Sequence, residues 1–157
     1  MPKINLIYIS LSGNTKSFIK RLQESLSDSG YDTSSVNVKD LVKDTDDWKY
    51  IQTEPYIAFV PTYLDGGNGH DSGTTEILTT PLREFMRYEN NYQQCLGIVG
   101  SGNKNFNDQY CLTAKQYRDE FNIPMIGDFE LRGLSADIER IKHVILDLYD
   151  GECNYEI

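Results

Sequence analysis

The chain has 157 residues, 39% of them apolar, with 15 Lys and Arg against 24 Asp and Glu, for a formal net charge of -9. That length suits one domain able to bury a core. The acidic balance argues against a nucleic-acid or anionic-membrane surface, both of which call for clustered Lys and Arg, and suits a soluble carrier or a partner of other proteins.

Cysteine and histidine usage narrows the chemistry further. Cys95, Cys111 and Cys153 are odd in number and widely spaced, so neither a disulfide framework nor a zinc site is expected. His70 and His143 are far apart in sequence, and His143 beside Lys142 on a predicted helix reads as solvated. Met1-Pro2-Lys3 leads straight into a short apolar strand, too short for a signal peptide or a membrane span, which gives a cytoplasmic expectation.

Lys3 to Ile9 is mostly apolar and β-branched, as a central strand covered on both faces should be. Phe18, Ile19, Leu22 and Leu26 then recur at helical spacing between charged residues, with Gly30 as a stop. Thr33 to Val38 alternates weakly and suits an outer strand, while Lys39 to Tyr50 is charged and reads as loop or irregular helix. Tyr56 to Val60 is the next buried strand, ended by Pro61, which cannot donate to a sheet ladder.

Residues 64–74 hold four glycines among polar neighbours, the mark of a long mobile loop. Thr80-Pro81 reads as cap and first position of a helix with Leu82, Phe85 and Met86 on one face. Cys95 to Gly100 is a fourth strand, and Asp108 can cap a helix whose inner face is Tyr110, Ala114, Tyr117 and Phe121. Met125 to Leu131 forms a fifth strand, and Ser135 caps a last helix with Ile138, Ile141, Ile145 and Leu148 inward. Five strands alternating with helices predict an α/β three-layer sandwich, a five-stranded parallel sheet in order 2-1-3-4-5, over residues 1–150, with 151–157 as a flexible tail.

Three loops follow the carboxyl ends of predicted parallel strands, where such sheets bind ligands. The first, Ser10-Leu11-Ser12-Gly13-Asn14-Thr15, offers hydroxyls, an amide and free backbone N–H groups at a helix start but no Lys or Arg. It would therefore hold a phosphomonoester by neutral donors, and it is no Walker loop. The second, Pro61-Thr62-Tyr63 leading to Gly66 and Gly67, supplies a stacking face and close backbone approach. The third runs from Gly100 through Ser101, Gly102, Asn103, Lys104 and Asn105 to Phe106, with donors and acceptors suited to the edge of a pyrimidine-like ring. Each loop alone could be an ordinary turn, but their conjunction points to FMN. A receiver-type domain of the same architecture would need acidic residues where Ser10 and Pro61-Thr62 stand.

Ser10 to Thr15 resembles the phosphate loop of flavodoxins. Glu54-Pro55-Tyr56, Val60 to Tyr63 with Gly66-Gly67, Gly102-Asn103-Lys104-Asn105-Phe106, and Phe129 to Gly133 followed by Asp137-Ile138-Glu139 together resemble the NrdI family over nearly the whole chain. The resemblance implies an FMN redox protein that supports class Ib ribonucleotide reductase. In that family reduced FMN and dioxygen supply a superoxide-type oxidant for assembling the dimanganese-tyrosyl radical cofactor of the reductase small subunit. A cellular electron donor, the small subunit (dimanganese or diiron) and dioxygen are the implied partners of a chain expected to be a monomer alone.

By the same resemblance Ser10, Ser12, Gly13, Asn14 and Thr15 would hold the phosphate, with Leu11 in the same loop. Thr62, Tyr63, Gly66, Gly67, Ser101, Gly102, Asn103, Asn105 and Phe106 would surround the isoalloxazine, with Pro61 leading into them. Gly66 or Gly67 would let a backbone carbonyl turn toward protonated N5. The third loop is shorter than in ordinary flavodoxins and carries Lys104, which would leave the ring more open to oxygen or a partner. The alternative is a general flavodoxin-type electron carrier.

Overall fold

The computed structural model describes residues 3–9, 13–44, 49–61, 80–102, 112–130 and 133–155. Within them the chain runs β1 (Ile4–Tyr8), α1 (Asn14–Asp28), β2 (Thr33–Asn37), α2 (Val38–Asp44), β3 (Tyr56–Pro61), α3 (Thr80–Arg87), a 3-10 segment (Tyr88–Gln94), β4 (Cys95–Gly102), α4 (Leu112–Phe121), β5 (Met125–Glu130) and α5 (Ser135–Tyr155). All strand pairs are parallel, in the order β2-β1-β3-β4-β5.

Successive side chains on a strand point to opposite faces, and here both faces are covered. Leu6 and Tyr8 of β1, with Ile57 and Phe59 of β3, meet Phe18, Leu22 and Leu26 of α1 and Ile138, Ile141 and Ile145 of α5. Ile7, Ala58, Val60 and Ile98 turn the other way, onto Val38 of α2, Leu82, Phe85 and Met86 of α3, and Ala114, Tyr117 and Phe121 of α4. This is why β1 and β3 are apolar without alternation, whereas the outer strand β2, partly exposed along its length, is polar.

Several element ends differ from expectation for local reasons. Lys39 to Tyr50, expected as loop or irregular helix, begins within α2, whose fully buried hydrophobic among the described residues is Val38. The first turn of α5 is capped not by the Ser135 hydroxyl but by Asp137, whose Oδ2 accepts the Leu134 N–H at 2.8 Å and whose Oδ1 accepts from Arg140 Nη2 at 2.9 Å. On the inward face of α5 Tyr149 is buried more completely than Leu148, and the helix continues past Gly151 to Tyr155. Thr80 is already the first helical residue of α3. Expectations for Asp108, Tyr110 and the 64–74 loop fall outside the described residues.

α1 ends as the glycine stop predicts. Tyr31 N–H donates to Leu26 O at 3.0 Å and Gly30 N–H to Ser27 O at 2.9 Å, closing the orphan carbonyls of the last turn.

Candidate functional site

In a doubly wound sheet the ligand crevice opens at the carboxyl ends of the strands where the winding reverses, here between β1 and β3. The chain leaves β1 at Tyr8 and enters α1 through Gly13, which has φ 91° and ψ -11°. Among the described residues beyond its chain neighbours no atom lies within 4 Å of where its Cβ would be, and the positive φ by itself calls for glycine. The Gly13 carbonyl already accepts the Ser17 N–H at 2.9 Å, but among the described residues no side chain caps the first turn, and that turn holds no acidic residue. The amides at the start of this 15-residue helix lie at the positive end of its dipole, where an anion would be favoured.

Thr15 supplies the second observation. It is 1% exposed, and its Oγ1 has no hydrogen-bond partner among the described residues. A buried hydroxyl left unpaired costs about 1–3 kcal/mol, a penalty that an acceptor arriving with a ligand would remove. An orphan donor, uncapped amides and no cation or carboxylate in the loop together fit a phosphate monoester. Asn14 opens the helix beside it, half-buried.

Packing behind this turn holds it in place. Phe18, one turn along from Thr15, stacks on Phe129 with ring centroids 3.8 Å apart and planes 4° from parallel. Gly133, at φ 76°, lies against the other side of the arrangement, and a Cβ there would stand 2.7 Å from Phe18 Cδ2. Arg21 Nη1 donates to Gly133 O at 3.1 Å, tying the turn before α5 to α1. The Phe129 to Gly133 motif therefore serves the site from behind, by fixing the first helix. The sequence singled out these residues but not this role.

At the neighbouring strands Pro61, the last residue of β3, pairs with Ser101, and Gly102 pairs with Glu130. Ser101 is 4% exposed, at the same carboxyl edge as the α1 start. Gly13, Asn14, Thr15, Pro61, Ser101 and Gly102 are thus placed by the fold at the carboxyl ends of β1, β3 and β4. Ser10, Leu11, Ser12, Thr62, Tyr63, Gly66, Gly67, Asn103, Asn105 and Phe106 lie outside the described residues. Burial, and secondarily the Asp40 carboxylate, push the Tyr8 hydroxyl up from its ordinary value, so it stays neutral at the mouth of the crevice.

Cys95 and His143 are described residues that could carry other chemistry. The Cys95 thiol is buried and pushed up to about 12 by that burial, against hydrogen bonds that favour the thiolate, so it is inert at neutral pH. His143 is exposed, as expected. The described residues contain no group of three or more His, Cys, Asp or Glu placed to hold a metal. They also contain no helix long and apolar enough to cross a membrane. The Glu54-Pro55-Tyr56 motif lies at the opposite, amino end of the sheet, where the Pro55 carbonyl accepts from Asn5 Nδ2 at 3.0 Å and from the Tyr149 hydroxyl at 3.1 Å.

A doubly wound, five-stranded parallel sheet of this order is a flavodoxin-like fold. The family model described as NrdI flavodoxin-like matches residues 6–143. An NrdI-like protein of Streptococcus pneumoniae serotype 4 is 52% identical over 154 residues, covering 97% of this chain and 98% of its own length. One from Streptococcus pyogenes serotype M3 is 57% identical over 148 residues, 94% and 90% of the two chains. Among solved structures, a short-chain flavodoxin associated with a bacterial microcompartment superposes with a TM-score of 0.63 at 17% identity, over 96% of this chain and 99% of that one. The chain belongs to the NrdI flavodoxin-like family, and its cofactor is FMN.

Proposed function

We propose that this protein is the FMN activator of a class Ib ribonucleotide reductase, docking on the small subunit rather than serving many acceptors. The observation that carries this reading is the family match across residues 6–143, because the fold by itself is shared with general electron carriers. When bound and reduced by a cellular donor, FMN would pass an electron to dioxygen, and the resulting superoxide-type oxidant would serve assembly of the dimanganese-tyrosyl radical cofactor of the small subunit.

The chain's own residues do the holding. The α1 amides and the Thr15 hydroxyl bind the phosphate by neutral donors, with Lys16 the nearest cation in sequence. The Phe18 and Phe129 stack and the Gly133 turn keep that cradle rigid. Ser10 and Ser12 add hydroxyls to the phosphate, with Leu11 between them. Pro61, Thr62, Tyr63, Gly66 and Gly67 form one wall for the ring, and Ser101, Gly102, Asn103, Asn105 and Phe106 the other.

The test uses reduced protein, oxygen and the manganese-loaded small subunit, with tyrosyl radical read by electron paramagnetic resonance. Radical well above a flavin-free control is expected. A control-level signal, with comparable turnover on unrelated acceptors, would instead favour a general flavodoxin.

A further inference from the structure

The start of α1, with Gly13, Asn14 and Thr15, carries the phosphate cradle, so where this helix sits decides where the cradle's donors point. Phe18, Ile19, Leu22 and Leu26 bury it in the core, but apolar burial is non-directional. Direction comes from hydrogen bonds to the α5 side, and two long cations make them. Lys142 Nζ of α5 donates to Ser25 O at 3.2 Å, Ser25 Oγ at 3.1 Å and Ser29 Oγ at 2.6 Å, all at the end of α1 far from the cradle. Arg21 makes the nearer tie.

That tie reaches the cradle bond by bond. Arg21 Nε donates to Ser17 O at 3.3 Å, and the Ser17 N–H donates to the carbonyl of Gly13 at 2.9 Å, where the chain enters α1. Arg21 Nη1 donates to Gly133 O at 3.1 Å. Gly133 is itself anchored, because its N–H donates to Glu130 O at 2.9 Å and the next N–H, of Leu134, donates to Asp137 Oδ2 at 2.8 Å. The same turn lies against the Phe18 ring, one helical turn from Thr15. The half-buried guanidinium thus bridges one carbonyl of the cradle helix and one of the fixed turn before α5, a task for which its rigid fork suits it better than an ammonium.

We propose that Arg21 is a positioning residue for the flavin phosphate, holding the first turn of α1 in register with the turn before α5. It stands about two turns along α1 from Asn14, so it acts through the helix and not on the ligand. The α1 amides and the Thr15 hydroxyl move with the helix, so a small shift misaligns all of them at once. The inference rests on the placement of the phosphate at this helix start.

FMN and riboflavin differ by the phosphate, so the ratio of their dissociation constants for the apoprotein reads the cradle alone. Arg21→Met keeps an apolar stem and removes both hydrogen bonds. It should lower the preference for FMN over riboflavin about three- to tenfold, the range for a residue coupled to a site it does not touch. The phosphorus NMR resonance of bound FMN should shift, while riboflavin affinity stays as in the wild type. The deficit should persist at about 1 M salt, where the field of the lost charge is screened within about 3 Å. Arg21→Lys keeps the charge but not the fork; it should lower the preference by a smaller factor, and it carries the test if Arg21→Met does not fold. Lys142→Met, at the far end of the same seam, should lower stability in urea and leave the preference unchanged. An unchanged preference in the Arg21 variant that carries the test, a deficit that salt abolishes, or an equal deficit in Lys142→Met would overturn the role of Arg21. A wild type that binds riboflavin as tightly as FMN would overturn the phosphate placement itself, and this inference with it.

Discussion

At the amino end of the sheet Asn5 and Asn91 are buried and bonded at both ends of their amides, whereas at the carboxyl end the equally buried Thr15 holds a hydroxyl with no partner among the described residues. Asn91 Nδ2 donates to Tyr50 O and Phe85 O, each at 2.9 Å, and its Oδ1 accepts the Gln52 N–H at 2.8 Å. Its own carbonyl accepts from the Tyr56 hydroxyl at 3.1 Å. Asn5 accepts from Ser34 Oγ at 2.6 Å and donates to Pro55 O. Buried polar groups are normally satisfied because leaving one unpaired costs as much as a hydrogen bond is worth. A sheet that meets this rule at one end and breaks it at the other has separated scaffold from site.

The largest effect should come from breaking the satisfied end. Asn91→Ala leaves two carbonyls and one N–H without their partner, in a segment where Glu89 and Asn90 already hold positive φ of 47° and 60°. Urea denaturation should record a loss of about 3–5 kcal/mol, while the folded fraction keeps its FMN affinity. A loss below about 1 kcal/mol would mean that water replaces the side chain and that the amino end is less committed to scaffolding than its bonding implies.

Gly133→Ala comes next and joins the two ends of the comparison. The residue must adopt φ 76° and place a Cβ 2.7 Å from an aromatic carbon of a stacked, buried ring. Left-handed backbone and overpacking together should cost about 2–3 kcal/mol. Because Phe18 lies one turn from Thr15, FMN affinity should fall with stability, unlike in Asn91→Ala. Parallel melting and FMN titration of the two variants would separate them.

Alkaline pH probes the satisfied end by another route. Burial, partly offset by the hydrogen bond from the Asn5 N–H, pushes the Tyr149 hydroxyl from 10.0 up to about 12, and Cys95 also titrates late. The folded state therefore holds these protons more tightly than the unfolded one. Their contribution is whole below pH 9 to 10 and drains away as pH rises toward 12, on the order of 2 kcal/mol for Tyr149. Tyr149→Phe should cost about 1 kcal/mol at neutral pH through its lost hydrogen bonds and flatten the stability profile above pH 10. An unchanged alkaline slope would assign the loss to the other buried groups that burial pushes up, Cys95, Tyr8, Tyr50 and Tyr56.

How far the sequence announces each end follows from what periodicity can carry. Ile4 to Tyr8, broken only by Asn5, and Tyr56 to Pro61 are readable because burial on both faces leaves a mostly apolar run. Asn91 is not readable, since a polar residue bonded inside a polar segment, Tyr88 to Gln94, looks like any solvated turn. Hydropathy favours Leu148 over Tyr149 as the inward residue, while the structure buries Tyr149, whose hydroxyl meets Asn5 N–H and Pro55 O. The Asp137 cap was missed because Ser135 has the commoner capping chemistry one turn position too late. At the site, Gly13 and Thr15 are legible from residue type, but the burial of the Thr15 hydroxyl is not, because burial is a property of the tertiary packing and not of residue type.

Thr15→Val gives the smallest change in stability and the sharpest contrast between the ends, because its two readouts should move in opposite directions. Valine fills nearly the same volume and carries no donor, so the apoprotein should lose nothing and gain up to about 1 kcal/mol in thermal or urea unfolding, as an unpaired buried hydroxyl is removed. The phosphate of FMN then loses a charge-assisted hydrogen bond worth roughly 1.5–3 kcal/mol, so its dissociation constant should rise about tenfold or more. Riboflavin, which lacks the phosphate, should bind wild type and variant alike. The same swap applied to a partnered hydroxyl lowers stability, so the sign of the apoprotein change decides whether Thr15 is held ready for a ligand. A destabilised apoprotein would mean that Thr15 is satisfied by the unliganded chain and belongs with the scaffold; a stabilised one with weakened FMN binding would mark it as part of the site.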